Sequence, residues 1–573
     1  MHAAHTLVPL ALLVAAATAG AQTEITPVLI NGQPGPFPGS LSDIFETPAI
    51  SDNGLIAGLA LISNTPPTGT TTGAIAYGPA GALAYPAFGT GPVPGAPGET
   101  FSSLLAPLIN AQGDVTFQGI ITLSANVDDS NRRGIWFIEA DTPTLVEPVV
   151  RGGAPAPGTL SSFGFIDGIR LNNAGQVCFF ASVDGPDVIQ QNNRGIWTTV
   201  PGFPEFSVLR ARGRDQAGDL NAFIDQIFPE FTVFSDGGEI VFLARLFGGD
   251  VTDFTNDSAL LYAGPSGLEV LQYETEPAPG LPFNFGGIGS EYPSINASGV
   301  AAFYARLDGA DRDADTTIYR GMPDNLELVL REGDEMPGMP GVFIDEFSQR
   351  PLIADNGDVI LTGSLTGAGV TPDNAGVLLR CAPGSITIIF RNGDLAPGTA
   401  LTFSGGVRFA IGRSGRVHFT ANLGNSSVGL FAEGDPSAPV LVARIDETVD
   451  IDPSPMAQDL RTVAVIESGR RVSGADGRQV YFSTNDDVVF EARFDDSTSG
   501  IFLANVGASA CFGDFDQDGD VDLGDFGVFG AAFGSTSSDP NYNPLPDFDS
   551  NGLVDLGDLG VFGAFFGSTG CPN

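Results

Sequence analysis

A phrase made of Asn or Asp, a glycine and an alternating apolar run returns through most of this 573-residue chain. Its copies are Asp52-Asn-Gly54-Leu-Ile-Ala-Gly58, Asn110-Ala-Gln-Gly113-Asp-Val-Thr-Phe117, Asn173-Ala-Gly175-Gln-Val-Cys-Phe179, Asp236-Gly-Gly238-Glu-Ile-Val-Phe242, Asn296-Ala-Ser-Gly299-Val-Ala-Ala-Phe303, Asp355-Asn-Gly357-Asp-Val-Ile-Leu361 and Arg413-Ser-Gly415-Arg-Val-His-Phe419. A degenerate last copy surrounds Asp486-Asp-Val-Val-Phe490. From glycine to glycine the steps are 59, 62, 63, 61, 58 and 58 residues, then about 71 to the last copy. A period near 60 means an array of supersecondary units that bury their apolar faces against one another.

Each unit repeats the same order of short elements. A turn with Asn or Asp and Gly opens an alternating strand, and a second strand of the Gly134-Ile-Trp136, Gly195-Ile-Trp197, Thr317-Ile-Tyr319 or Gly500-Ile-Phe502 type follows. A third apolar strand ends in phrases such as Arg331-Glu-Gly-Asp334-Glu-Met-Pro-Gly338 and Arg391-Asn-Gly-Asp394-Leu-Ala-Pro-Gly398. Three or four strands per unit is the content of a propeller blade. The first strand, Pro27-Val-Leu-Ile30, matches the late strand of a unit, whereas the array stops after Gly500-Ile-Phe-Leu-Ala504 without one. The N-terminal strand therefore completes the last blade and removes two exposed sheet edges. The expected fold is mainly β, an about eight-bladed β-propeller over 22–507, with an open β-solenoid as the alternative. The body resembles exported bacterial tandem-repeat proteins that carry an Asn-x-x-Gly-x-x-x-Phe-x-Ala repeat. That resemblance implies a structural motif and no particular activity.

Asp and Glu total 68 against 25 basic residues, a net charge of −43, and every basic side chain apart from histidine is Arg. Nucleic acid and anionic membranes are poor partners for such a surface, because a phosphate-binding footprint needs clustered positive charge. The apolar run Leu7–Ala19 followed by Ala19-Gly20-Ala21 reads as a signal peptide over 1–21, too short to span a bilayer. The expected location is secreted or cell-surface associated.

The last unit of the chain, 508–573, breaks from the repeat. Asp514-Phe-Asp516-Gln-Asp518-Gly519-Asp520-Val-Asp522-Leu-Gly-Asp525 recurs as Asp547-Phe-Asp549-Ser-Asn551-Gly552-Leu553-Val-Asp555-Leu-Gly-Asp558, 33 residues later. Ca²⁺ takes 6–8 oxygens, and a 12-residue loop supplies them from positions 1, 3, 5, 7, 9 and 12 around a glycine at 6. The expected ligands of two Ca²⁺ ions are Asp514, Asp516, Asp518, Asp520, Asp522 and Asp525, then Asp547, Asp549, Asn551, the Leu553 carbonyl, Asp555 and Asp558. Apolar side chains at roughly helical spacing follow each loop. With 11 aspartates and no basic residue from 511 to 573, charge repulsion opposes a compact metal-free state. Calcium binding is then folding energy.

This stretch resembles a dockerin type I domain, an EF-hand-like module that uses Asp at position 12. The resemblance implies docking to a cohesin-like extracellular partner through positions 10 and 11 of each loop. Here those are Leu523-Gly524 and Leu556-Gly557 instead of polar residues. Cys511 and Cys571 bracket the module and could be bridged in an oxidising compartment. Cys178, within Val177-Cys-Phe-Phe180, reads as a buried small apolar residue.

Catalytic signatures are sparse. After signal cleavage one histidine remains, His418, on an alternating strand, so zinc sites and histidine-dependent triads have little to be built from. His418 reads as a strand residue facing solvent or a neighbouring turn. Asp311-Arg-Asp313-Ala-Asp315 lacks the position-6 glycine of a calcium loop and reads as a solvated inter-strand loop. The Arg-x-Gly-Asp phrases recur too often to be one active site and read as Arg–Asp pairs pinning each turn. Two functions follow. One is a non-enzymatic propeller for binding or scaffolding, attached through the calcium module. The other is a carbohydrate-active glycoside hydrolase tethered for polysaccharide degradation, whose carboxylate pair the sequence cannot locate.

Overall fold

The computed structural model describes residues 25–506, apart from 38, 66–68, 289–291, 348–349, 435–438, 452–458, 468–475 and 479, together with 515, 521–536, 539, 542–543, 546 and 553–566. The proposed signal peptide and Cys511 and Cys571 lie outside the described residues. The chain divides into a large unit, Glu24–Ala508, and a small one containing Ser509–Asn573.

The large unit is an eight-bladed β-propeller. Every blade is an antiparallel sheet, and in blades 1 to 7 the four main strands follow chain order from the axis outward, for example Leu41–Ile50, Leu55–Thr65, Thr70–Pro79 and Ala84–Phe88 in blade 1. The first strands of neighbouring blades touch: Ser162–Leu171 meets Phe223–Phe234, which meets Ser294–Ile295. Blade 8 is built from Leu460–Glu467, Asp487–Phe494 and Ser499–Asn505, and its outer strand is Ile25–Ile30. That strand runs antiparallel to Ser499–Asn505, with Ile25 opposite Ala504 and Ile30 opposite Gly500. Closure by the N-terminal strand is thus as expected, and it covers the edge that Ser499–Asn505 would otherwise expose.

The repeated glycine exists for its backbone. Gly54, Gly113, Gly175, Gly238, Gly299, Gly357 and Gly415 all have φ between +72° and +97°, a region that costs most side chains about 1–2 kcal/mol. In the degenerate last copy Asp486 takes the same place at φ +65°. These turns form one end of the ring and bond to one another. Ala111 N–H donates to the Asn173 side chain at 2.7 Å, Asn173 N–H to Asp236 at 2.9 Å, and Thr484 N–H to Asp52 at 2.9 Å. A side chain on the third strand also donates to the next blade's glycine carbonyl: Tyr77 to Gly113 at 2.7 Å, Arg320 to Gly357 at 2.9 Å and Arg380 to Gly415 at 2.8 Å.

Packing explains the other repeated letters. In four blades an inner-strand Phe, the Phe of the glycine phrase and a third-strand aromatic make one triad. Phe101, Phe117 and Trp136 form the first, Phe163, Phe179 and Trp197 the second, Phe285, Phe303 and Tyr319 the third, and Phe403, Phe419 and Phe431 the fourth. The inner Phe meets the third ring edge-on, at centroid separations of 4.7, 5.0, 5.3 and 5.2 Å. The second Phe stacks on it at 6.0, 6.3, 6.1 and 5.3 Å. Both geometries suit the ring quadrupole. The core lies between blades, each cluster drawing residues from two neighbouring sheets.

In the small unit, helices Leu523–Ala532 and Leu556–Phe565 start at Asp522 and Asp555. Val521, Phe529, Ala532, Val554 and Phe562 form its core. Gly534 N–H donates to the Val554 carbonyl at 2.7 Å and Val554 N–H to the Ser535 carbonyl at 3.0 Å, tying the two repeats together.

Candidate functional sites

The two loops expected to hold calcium come first, because their residue types are the most specific. Of the expected ligands, Asp522, Asp525, Leu553, Asp555 and Asp558 are described. Asp514, Asp516, Asp518, Asp520, Asp547, Asp549 and Asn551 lie outside the described residues. The described ones occupy equivalent places in the two repeats. Asp522 accepts the Gly524 N–H at 2.6 Å and Asp555 the Gly557 N–H at 2.7 Å, capping each helix. The position-12 carboxylates turn back onto their loops. Asp525 accepts the N–H groups of Phe515 at 2.5 Å and Asp522 at 2.9 Å, and Asp558 that of Asp555 at 2.8 Å.

Both Asp525 and Asp558 are 0% exposed. A buried carboxylate is costly unless a cation or several donors compensate it. No Lys, Arg or His exists between 511 and 573 to do so. The donor set, all oxygen, is that of a hard cation, so the residues fit Ca²⁺. Leu523 and Leu556, at loop position 10, are 74% and 73% exposed.

The propeller's two ends differ. At the glycine-turn end the connection between the first and second main strands of blade 8 crosses the axis. Phe234 N–H, in blade 4, donates to the Asp476 carbonyl at 3.0 Å, and Leu171 N–H, in blade 3, to that of Gly477 at 2.9 Å. On the opposite side Ile50 N–H, in blade 1, donates to Val480 at 2.9 Å. Asp476 is fully buried and ion-paired with Arg478. Arg413 of blade 7 reaches Asp355 at 3.5 Å and Asp236 of blade 4 at 3.0 Å. This end of the ring is closed.

The other end carries a cleft of about 460 Å³ between blades 3 and 4. It is lined by Gln190, Gln191, Asn193, Arg194, Gly213, Asp225, Gln226, Ile227 and Arg245. Arg245 pairs with Asp225 at 3.2 Å. The sequence did not single out these residues. Their one signal is a deviation, the long polar connection 185–193 between two strands of blade 3.

Several readings of the propeller change. His418 is not at the surface: it is 1% exposed, against Tyr481 and Phe482, with no hydrogen-bond partner on either ring nitrogen. Burial pulls its pKa down to about 4. The packing of blade 7 on the connection between the first two main strands of blade 8 buries it, a contact that strand alternation does not encode.

The Arg-x-Gly-Asp phrase works differently from an Arg–Asp pair. Asp334 accepts the backbone N–H of Arg331 at 3.0 Å, and in the related Arg212-Gly-Arg-Asp215 the Asp215 carboxylate accepts that of Arg212 at 2.7 Å. The guanidinium Nε atoms of Arg151, Arg212, Arg331 and Arg391 instead donate to the carbonyls of Asn131, Asn192, Ala314 and Asn374 at 2.8, 2.7, 3.0 and 2.6 Å. Each Arg pins the loop between the second and third strands of its own blade.

Asp311 and Asp315 flank a 3₁₀ turn, Arg312–Ala314, that contains Asp313; with Asp311 to Asp313 exposed, this is a solvated loop as expected. Cys178 and Cys381 are buried free thiols, each pushed up to about 12 by burial. Among the described residues no helix is long and apolar enough to cross a membrane.

A search of curated proteins finds no match. Among solved structures, the chain is similar to the β-propeller domain of the Trilobed protease from Pyrococcus furiosus, at 11% identity and a TM-score of 0.36, covering 70% of this chain and 97% of that one. It is also similar to the Dos1 propeller, at 9% identity and a TM-score of 0.34, covering 84% and 95%. Likenesses this distant carry no functional argument. A model described as a family of unknown function, DUF7453, matches residues 15–260 and again 252–508, and the chain belongs to that family.

Proposed function

We propose that this is a secreted or surface-associated binding propeller, attached to an extracellular partner through a dockerin-like module that folds around two Ca²⁺ ions. The observation that carries the reading is the burial of Asp525 and Asp558 at matched positions in a module without a basic residue. Calcium supplies the missing positive charge there. The exposed Leu523 and Leu556 offer the partner an apolar, two-fold repeated contact, which suits a protein partner other than a conventional polar-reading cohesin.

The tethered glycoside hydrolase is the weaker reading. A glycosidase pair needs two carboxylates flanking one bond, and the cleft at the open end is lined by one, Asp225. Trp136 and Trp197 are buried in blade cores and offer no sugar-stacking platform. The attachment reading is tested in the producing cells. Deleting 508–573, or adding a calcium chelator, moves the propeller from the cell or matrix fraction into the medium. Equal distribution of full-length and truncated chains would refute it.

A further inference from the structure

The cleft between blades 3 and 4 has a composition unlike the rest of this acidic molecule. Two guanidiniums and four amides, Arg194, Arg245, Gln190, Gln191, Asn193 and Gln226, face a single carboxylate. Arg245 is held by Asp225 and its side chain remains 52% exposed. The side chains of Arg194, Gln190, Gln191 and Gln226 make no hydrogen bond or ion pair with any described residue. Their donors and acceptors are unused among the described residues.

The position adds to this. Asp225 and Gln226 lie on the inner strand Phe223–Phe234 at the end remote from the glycine turn, with Gln226 opposite Arg245 on the adjacent strand. Arg194 begins the third strand of blade 3 at the same end. Since the opposite end is crossed by 476–478, a ligand reaching the axis enters past these residues.

We propose that this cleft binds an anionic saccharide. Arginine forks match carboxylate and sulfate oxygens bidentately, and carboxamides, each donor and acceptor at once, match sugar hydroxyls. With the Trp side chains buried, recognition rests on hydrogen bonds and charge rather than stacking. The inference rests on the propeller being the ligand-binding part of the proposed function, and it is independent of the calcium module.

The test is calorimetric titration of the full chain in chelator, so that failure of the calcium reading cannot mask it. The probes are a short oligogalacturonate, a sulfated oligosaccharide and a neutral galactan fragment of equal length. Saturable binding of either acidic probe, with the neutral one at least about tenfold weaker, is the expected result, because the neutral probe forgoes the charge-assisted hydrogen bonds. The carboxylated and sulfated probes distinguish the source of the charge. Arg194→Gln, which breaks no side-chain hydrogen bond or ion pair among the described residues, is expected to weaken binding about tenfold with an unchanged melting temperature. Arg132→Gln, on an exposed loop of blade 2, is expected to leave affinity unchanged. Binding of neither acidic probe, equal binding of the neutral one, or affinity insensitive to Arg194→Gln would overturn the proposal.

Discussion

The Gly477 carbonyl accepts the backbone N–H of Leu171 at 2.9 Å, joining the connection between two strands of blade 8 to the inner strand of blade 3 across the axis of the ring. The contact is possible because position 477 has φ +74° and no side chain. A Cβ there would lie 3.0 Å from that of Arg170 and 3.1 Å from that of Phe234.

Gly477→Val is therefore expected to destabilise the propeller by roughly 2–4 kcal/mol, the left-handed backbone penalty and overpacking acting together. Gly477→Ala costs less. The midpoint of denaturant unfolding, followed by the fluorescence of Trp136 and Trp197 in blades 2 and 3, measures both. An unchanged midpoint for the valine variant would mean that the segment does not close the ring.

Arg380 links blades 6 and 7. Its guanidinium bonds the Gly415 carbonyl at 2.8 Å and Asp358 at 3.1 Å and pairs with Glu433, which is 2% exposed and also takes the Val417 N–H at 2.7 Å. Burial pushes the Glu433 pKa up, with Arg380 opposing it. Arg380→Leu leaves a buried carboxylate unpaired, at a cost of about 3–5 kcal/mol near neutral pH. Adding Glu433→Gln recovers part of that loss. Thermal unfolding of the single and double variants gives the coupling, and additive effects would contradict the pairing.

His418 makes stability depend on pH in a defined direction. Its folded pKa of about 4 lies below the ordinary imidazole value of 6.5 because burial disfavours the charged ring. The unfolded chain therefore takes up the proton first. The stability conferred by the neutral ring is complete above pH 6.5 and falls as pH drops toward 4, by up to about 3 kcal/mol at 1.36 kcal/mol per pKa unit. Many carboxylates titrate in the same window, so the readout is the difference between wild type and His418→Leu. The gap between their unfolding free energies should shift in favour of the variant on acidification. A gap independent of pH would refute the buried neutral ring.

Much of the propeller was legible because its local demands repeat. A left-handed turn needs glycine, so the period could be read from Gly54 to Gly415. The aromatic triads put Phe117, Phe179, Phe303 and Phe419 at matched offsets. The missing late strand after Ala504 announced the pairing with Ile25–Ile30. Contacts between distant repeats left no such mark. The long final step indicated extra residues in the last unit, but nothing local said that Gly477 would bond Leu171 or that His418 would be buried beneath Tyr481. The Arg-x-Gly-Asp phrase was legible as structure and misread in detail, because Asp334 caps a backbone N–H while the Arg331 side chain serves another loop. The polar cleft escaped notice because Arg194, Gln226 and Arg245 come from two blades and belong to no shared motif.

The central claim is that the C-terminal module is held together by calcium, and calorimetric titration of the full chain with CaCl₂ after chelation tests it most directly. The account predicts binding of two ions with a gain of helical circular dichroism. It also predicts loss of one site in Asp525→Asn and of the other in Asp558→Asn, with the propeller's tryptophan fluorescence unchanged. No calcium uptake, or uptake unaffected by both substitutions, would contradict it.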